Sequence, residues 1–307
     1  MPWVYISYYG LVGVLFEPIQ ACIEMHRRAY ELGMQLGNTS ISSFHKSFVI
    51  ARELHAGTNL LRLKEEIEFD MKMAKHHSIP IFDAKSQQYY DAVLTLINGE
   101  SKMSQDPDEC KFDTETAYIM SRMVTSTYLG YFERVKHMAE RWEFYLNPND
   151  SMSSYDKRIN FRNVYVSFYY GLALFALRRR KKSSSNKMPD NMKKLLGVLE
   201  NASGCSPWNY LNKASLLQAE KLSFCLQNSE AEDAYDAAIK ASQSSKFVHE
   251  EGLACELAGS HFERLGKKEQ AISLFQQAEQ CYKTWGSKKK TLQMAERAER
   301  IRRKGPK

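Results

Sequence analysis

The chain is poor in the residues that punctuate and stiffen a fold. Glycine (15) and proline (8) together make 7.5% of the 307 residues, against a usual share of about 12%. That shortage argues against a turn-rich β-sandwich and against disorder. Valine is scarce as well, so a large sheet would lack its favoured filler. The phosphate loop G-x-x-x-x-G-K-[ST] does not occur, nor does G-x-G-x-x-G, G-x-S-x-G, or the H-R-D and D-F-G pair. Nucleotide-cradle, dinucleotide, hydrolase-elbow and kinase chemistry are each left without a signature. The six cysteines, at 22, 110, 205, 225, 255 and 281, form no C-x-x-C pair, and no histidine stands at zinc-ligand spacing from a pair. They read as free thiols of a reducing compartment. Cys22, Cys225, Cys255 and Cys281 sit beside apolar residues in helical patterns. No apolar run reaches the ~20 residues that span a bilayer. Residues 1–16 are interrupted by Gly10 and Gly13 and carry no basic residue, the first being Arg27, unlike a signal peptide. They read as the first helix of a cytoplasmic protein.

Apolar residues make up 43% of the chain and aromatics 12%, which supplies a sizeable core of packed helices. The net charge of +7 is unevenly placed: residues 283–307 carry +8, residues 178–187 carry +6, and the remainder carries −7. A mildly acidic body with two basic patches offers no continuous surface for tracking phosphates, so nucleic acid is not an expected partner. Arg178, Arg179, Arg180, Lys181 and Lys182 precede three serines at 183–185. The run reads first as a solvated loop between helices; the sharper alternatives are a kinase target or a nuclear-import signal. The stretch Thr291–Lys304 interleaves Leu292, Ala295, Ala298 and Ile301 with charge. That is the pattern of a capping helix laid on the preceding hairpin.

Apolar spacing is helical throughout. Ile19, Ile23, His26, Ala29 and Tyr30 share one face. Leu60, Leu63, Ile67 and Met71 share another, and Tyr118, Met120, Met123, Val124, Thr127 and Tyr128 form a broader stripe; Leu195, Leu196 and Leu199 form a shorter one. All eight prolines fit between helices or in a first turn. Ser206-Pro207 reads as an N-cap with proline at the first helical position, and Ser287 after Gly286 as a stop and a new cap. Asp113 and Ser229 are further cap candidates. The spacing predicts about fourteen helices in seven hairpins: 3–16 with 18–36, 40–56 with 59–77, 84–98 with 113–129, 131–146 with 160–180, 189–202 with 207–227, 229–244 with 248–265, and 267–284 with 287–303. Gly99–Lys111, Asn147–Lys157 and Arg180–Asn186 read as surface loops.

Candidate metal ligands are weak. His76 and His77 are adjacent and point about 100° apart on a helix, so they do not chelate one ion together. Asp106, Asp108, Glu109 and Asp113 lack the central glycine and closing glutamate of an EF-hand loop. No catalytic, cofactor or metal residues are assigned.

The last third repeats. Ala219, Ala231, Tyr235 and Ala238 match Gly259, Ala271, Phe275 and Ala278 in type, all four at one common offset. Small residues at 259 and 271 allow two antiparallel helices to approach closely. An aromatic at 275 fills the space to a neighbour, and Gly266 makes the turn. One such hairpin leaves an apolar face bare, so several must stack.

The series Ala258-Gly259, Phe262, Gly266, Ala271, Phe275, Ala278 resembles the tetratricopeptide pattern. It departs from that pattern at Cys255, where tryptophan is usual, and at Lys283, where the closing proline is usual. Its period, the offset from 219 to 259, is also longer than the tetratricopeptide one. The segments Ser206–Lys213, Gln218–Lys221, Glu250–Ala258 and Cys281–Gly286 are similar to the helical repeat region of very large signalling ATPases. In those proteins a serine/threonine kinase-like domain and an AAA-type domain precede the repeats, and a histidine kinase or cyclase often follows. Phe168–Ala173 and Tyr128–Phe132 resemble the same region, and the first hundred residues do so more loosely. The resemblance implies no catalysis, because the enzymatic motifs of that family lie outside its repeats.

Together these features predict an all-α protein: a tetratricopeptide-like α-solenoid of about seven antiparallel hairpins, as one domain over 1–307. Hairpin repeats are expected over 18–286, a capping helix over 287–303 and a basic tail over 304–307. The expected function is non-catalytic and without cofactors: a module that binds a protein partner or other domains of a signalling assembly. The alternative is a piece of a sensor kinase or ATPase whose catalytic parts are encoded elsewhere. A nucleic-acid-binding repeat ranks third.

Overall fold

The computed structural model describes residues 2–77, 80–99, 112–145, 160–181, 188 and 190–303. Helix accounts for 89% of these residues, in 14 α-helices, and the described residues contain no strand. The scarcity of glycine, proline and valine thus has its expected result. A short α1 (Pro2–Tyr5) runs into a π-helical segment (Ile6–Val12) and a 3-10 turn (Gly13–Leu15). There follow α2 (Ile19–Gln35), α3 (Thr39–Ala56), α4 (Leu60–His76), α5 (Pro80–Asn98), α6 (Phe112–Leu129) and α7 (Phe132–Tyr145). Next come α8 (Phe161–Arg180), α9 (Asp190–Cys205), α10 (Pro207–Phe224) and α11 (Asn228–Ser244). The last three are α12 (Val248–Arg264), α13 (Lys268–Trp285) and α14 (Lys288–Arg303).

Helix length in the C-terminal third is set by a repeated stop. Leu226, Lys246, Gly266 and Gly286 all adopt positive φ, at 62°, 60°, 75° and 94°. Their positions recur at one constant interval. After each, the next N–H donates to a carbonyl of the helix just ended: Gln227 to Leu222, Phe247 to Ser242, Lys267 to Phe262 and Ser287 to Tyr282. This left-handed closure satisfies carbonyls that the helix end leaves bare. Helices α11 and α12 have 17 residues each. One such helix and its short turn fill the interval, and two of them give the repeat offset.

Packing within the repeat follows the small residues. Ala219, Ala231, Ala238, Ala271 and Ala278 have no exposed surface. A Cβ added at Gly259 would lie 2.9 Å from the Phe275 ring, so α12 and α13 touch through that glycine. The most extensive contacts join α12 to α13 and α10 to α11, with α11 and α12 less closely packed. The hairpins therefore begin one helix earlier than 229–244 with 248–265. The repeat offset indicates this phase, whereas the list of apolar stripes does not.

The chain also returns on itself. The Asn209 side chain receives the Ile19 N–H at 2.9 Å and donates to the carbonyls of Val14 and Glu17, both at 2.8 Å. Asn59 donates to Thr284 O at 2.9 Å, and Ser287 donates to Leu96 O at 2.5 Å. A Cβ at Gly57 would stand 2.3 Å from the His249 ring. The starts of α10, α12 and α14 thus lie against α2–α5.

Several expectations change. Residues 3–16 are helical but not a regular α-helix, since the α, π and 3-10 geometries succeed one another. Ser206 precedes Pro207 as expected, yet its hydroxyl donates to Val14 O instead of capping α10. Ser229 lies inside α11, which starts at Asn228. Asp113 lies in the first turn of α6. In α14 the buried face is Lys290, Met294, Ala298 and Ile301, while Leu292 is exposed. That helix packs on α5 as well as α13, so it joins the two ends of the chain and does not merely cover one.

Candidate functional site

The third helix builds one wall of a cavity of about 370 Å³. Asn38 starts α3 by accepting the Ile41 N–H, and Gly57 ends it at φ 78°. Between them, Phe44, Phe48, Ala51, Arg52 and His55 recur at helical spacing and face the cavity. The N-terminal segment adds Ile6, Gly10, Val12 and Leu15; α5 adds Lys85 and Tyr89. Thr116, Ala117 and Met120 of α6, Trp142 of α7, and Asn160, Phe161 and Arg162 at the start of α8 complete the wall. The lining is mostly apolar and aromatic, with a few convergent polar groups, and its volume falls in the small-ligand range.

Arg52 is the unusual member. It is 2% exposed. Its Nη2 donates to the carbonyls of Tyr9 and Gly10, at 2.7 and 2.9 Å, inside the π-helical segment. Its Nε and Nη1 have no acceptor among the described residues. The rings of Phe48 and Phe161 lie 5.0 and 5.9 Å from its guanidinium carbon. Burial lowers its pKa to about 10, so it stays charged at neutral pH. His55 is also buried, and burial together with the Lys213 charge lowers it to about 3, so it is neutral. Burial raises Tyr89 to about 12.

Behind His55 lies a polar core. Tyr165 donates to His55 O at 3.3 Å, and its ring stands 4.4 Å from the imidazole. Lys213 has no exposed surface; its ammonium meets Glu250 Oε2 at 2.7 Å, Asn209 O at 2.9 Å and the face of Phe247 at 4.1 Å. Burial shifts both partners toward neutrality, Lys213 downward and Glu250 upward. His249 is buried beside them, held neutral by burial and by the Lys213 charge.

The sites marked in the sequence lie elsewhere. His76 ends α4 and His77 follows it, their rings steeply inclined and 4.9 Å apart. No group of three potential metal ligands occurs among the described residues. Asp106, Asp108, Glu109 and Cys110 lie outside the described residues, as do Lys182 and the serines at 183–185. Cys22, Cys205, Cys255 and Cys281 are free thiols. Burial pushes Cys22 up to about 11 and Cys281 up to about 12, which keeps both thiols protonated and unreactive.

Arg178, Arg179 and Arg180 are not loop residues: they form the last turn of α8. Arg179 pairs with the buried carboxylate of Glu220, and Arg180 donates to Gly130 O at 3.3 Å. Their charges sit against the carbonyl end of the helix, where cations are favoured.

Sequence reading missed the cavity, although part of its signal was present. An arginine within the stripe Phe44, Phe48, Ala51, His55 places a cation on an apolar helix face. No helix among the described residues is long and apolar enough to cross a membrane. Comparison with models of known protein families and with curated proteins gives no match to this chain.

Proposed function

We propose that the chain is a non-catalytic regulatory module: a tetratricopeptide-like α-solenoid of helix hairpins that acts by binding within a signalling ATPase or kinase system. One observation carries the emphasis on a small ligand. The cavity beside Arg52 is walled by the N-terminal segment and by α3, α5, α6, α7 and α8 together. Its occupant would touch helices far apart in sequence, which is what a regulatory ligand needs in order to bias their packing. The edge that an open repeat would offer to a protein partner, formed by the starts of α10, α12 and α14, is taken here by α2–α5 of the same chain. The internal repeat and the resemblance to signalling ATPase repeats support the wider setting.

The test is thermal unfolding with small neutral, anionic and cationic apolar molecules. At least one class should give saturable stabilisation that Ala51→Trp, which fills the cavity, abolishes. Stabilisation by none of them refutes the ligand reading. The chain should neither bind nor hydrolyse ATP, and magnesium-dependent ATP binding in calorimetry would refute the non-catalytic reading.

Two observations favour a docking role for a protein partner as a second reading. Trp3, Val4 and Phe16 are 64%, 65% and 64% exposed, and a helical repeat is a usual scaffold for such contacts. A phosphate-loop domain encoded in frame upstream would make this module the repeat segment of a sensor enzyme. Nucleic-acid binding with a steep salt slope would revive the third alternative.

A further inference from the structure

Three buried lysines face carboxylates: Lys46 meets Glu66 at 2.5 Å, Lys213 meets Glu250 at 2.7 Å and Lys290 meets Glu256 at 2.7 Å. Arg52 is as buried as they are, yet its described partners are two carbonyl oxygens and two aromatic rings. A charge removed from water without a counter-ion is costly, so such groups are normally paired. Carbonyls offset part of the cost and leave the charge in place.

The cavity adds a second arginine. Arg162 also borders it, and its described lining contains neither aspartate nor glutamate. Arg162 lies near enough to Arg52 to oppose its protonation. Much of the remaining wall is aromatic or aliphatic: Phe44, Phe48, Tyr89, Met120, Trp142 and Phe161.

We infer that the cavity binds an organic carboxylate, with its anionic group set against Arg52 and its apolar body among these rings. The inference rests on the ligand-binding reading above and names the ligand class for that site. A carboxylate matches the guanidinium in charge and planarity. A phosphate is disfavoured because its second charge and third oxygen ask for more donors than the unpaired Nε and Nη1 of Arg52, and phosphate sites usually add backbone N–H groups. Both acyl and aryl bodies suit a wall of this composition.

Calorimetry on the whole chain separates these cases without a variant. The probes are octanoate with 1-octanol, and 3-phenylpropionate with 3-phenylpropan-1-ol, plus inorganic phosphate. At least one carboxylate should bind at a ratio of one to one and at least about tenfold more tightly than its alcohol, a margin within the reach of one charge-assisted contact. The tighter of the two carboxylates identifies an acyl or an aryl body. Arg52→Met should erase the difference between acid and alcohol, the acid losing more affinity than the alcohol. The helical circular dichroism signal of the variant verifies folding. Equal binding of acid and alcohol overturns the carboxylate assignment and leaves the cavity reading standing. Tighter binding of inorganic phosphate also overturns it. Binding of no probe at all removes both.

Discussion

The first hundred residues and the last hundred are both helical hairpins that bury charge, but only the last hundred repeat. In α10–α14 the contacts run through alanine, glycine and aromatic rings: Ala219, Ala231, Ala238, Gly259, Ala271, Phe275 and Ala278. In α2–α5 the buried residues include His26, His45, Lys46, Arg52, Glu53, His55 and Asp70. Charges there are held by networks. Arg27 bridges Glu53 and Glu66 at 2.6 and 2.7 Å, and Lys46 meets the other Glu66 oxygen. These contacts with Arg27 and Lys46 outweigh the burial of Glu66 and hold it down at about 2. The Asp70 carboxylate accepts a hydrogen bond from Ser86 at 2.5 Å. The C-terminal part is a repeat whose helix contacts follow residue size, with its buried charges paired as Lys213–Glu250 and Lys290–Glu256. The N-terminal part shows no such repeat, and it carries an arginine without a carboxylate and much of the cavity wall.

Acid should act most on the buried histidines that both regions share. Burial in the first place lowers His26 to about 2, His55 to about 3 and His249 well below 6.5. Below pH 6.5 the unfolded chain takes up protons that the folded chain refuses, so stability falls as pH falls toward the folded values. Each group should cost about 1.4 kcal/mol at one unit below its unfolded pKa, or about 4 kcal/mol for the three between pH 7.5 and 5.5. Urea midpoints at the two pH values measure this. Hydrogen exchange should show α2 and α3 losing protection before α11 and α13. A flat pH profile would mean that the histidines are solvated.

Overpacking probes the other side of the comparison. Ala278→Trp should cost about 3 kcal/mol, at the upper end for inserting bulk into a packed interface. Lys268→Trp, at the half-buried start of α13, should cost under about 0.5 kcal/mol. A pure solenoid couples only neighbours. In this chain Thr284 and Ser287 touch Asn59 and Leu96, so protection should fall in α12–α14 and also in α4–α5. Confinement of the damage to α12–α14 would show the seam to be energetically silent.

The seam has its own test. Asn209→Ala removes one acceptor from Ile19 N–H and two donors from Val14 O and Glu17 O. A loss of about 2 kcal/mol is expected for buried groups left unpaired. Exchange should rise in residues 12–35 while α11–α13 stay protected. Loss of protection everywhere would mean that the two regions fold as one unit.

The smallest effect is a gain. Lys246 holds φ 60° where Gly266 and Gly286 occupy the matching turns. Lys246→Gly should raise stability by about 0.5–1 kcal/mol, because only glycine takes that conformation without strain. An unchanged urea midpoint would show that the turn is already relaxed.

Much of this was written locally. The stripes Leu60–Leu63–Ile67 and Tyr118–Tyr128 are buried as their spacing requires, and Tyr30 and Met71 sit at the edges of theirs. The matched small and aromatic residues of the two repeat units mark the interface, but the pairing expected from helix spacing, 229–244 with 248–265, is out of phase. These signals are readable because a helix brings residues three and four apart onto one face, so a short window contains the whole rule. Leu292 shows the limit: α14 has partners on two sides, α13 and α5, and the sequence pattern considered only one.

Only the tertiary structure decided what Ser206, Asn209, Ser287 and Arg52 do. Ser206 and Ser287 both read as helix caps; the Ser206 hydroxyl donates to Val14 O and caps nothing, while the Ser287 hydroxyl caps its helix and also reaches Leu96 O. Arg179 looked like part of a solvated basic run until Glu220 came within reach. Arg52 stands beside Glu53 in sequence, but helix geometry turns the two about 100° apart: Glu53 faces Arg27, and Arg52 faces the cavity. Local periodicity sets which face of a helix is apolar, whereas the pairing of a buried polar group depends on what the rest of the chain delivers to that point.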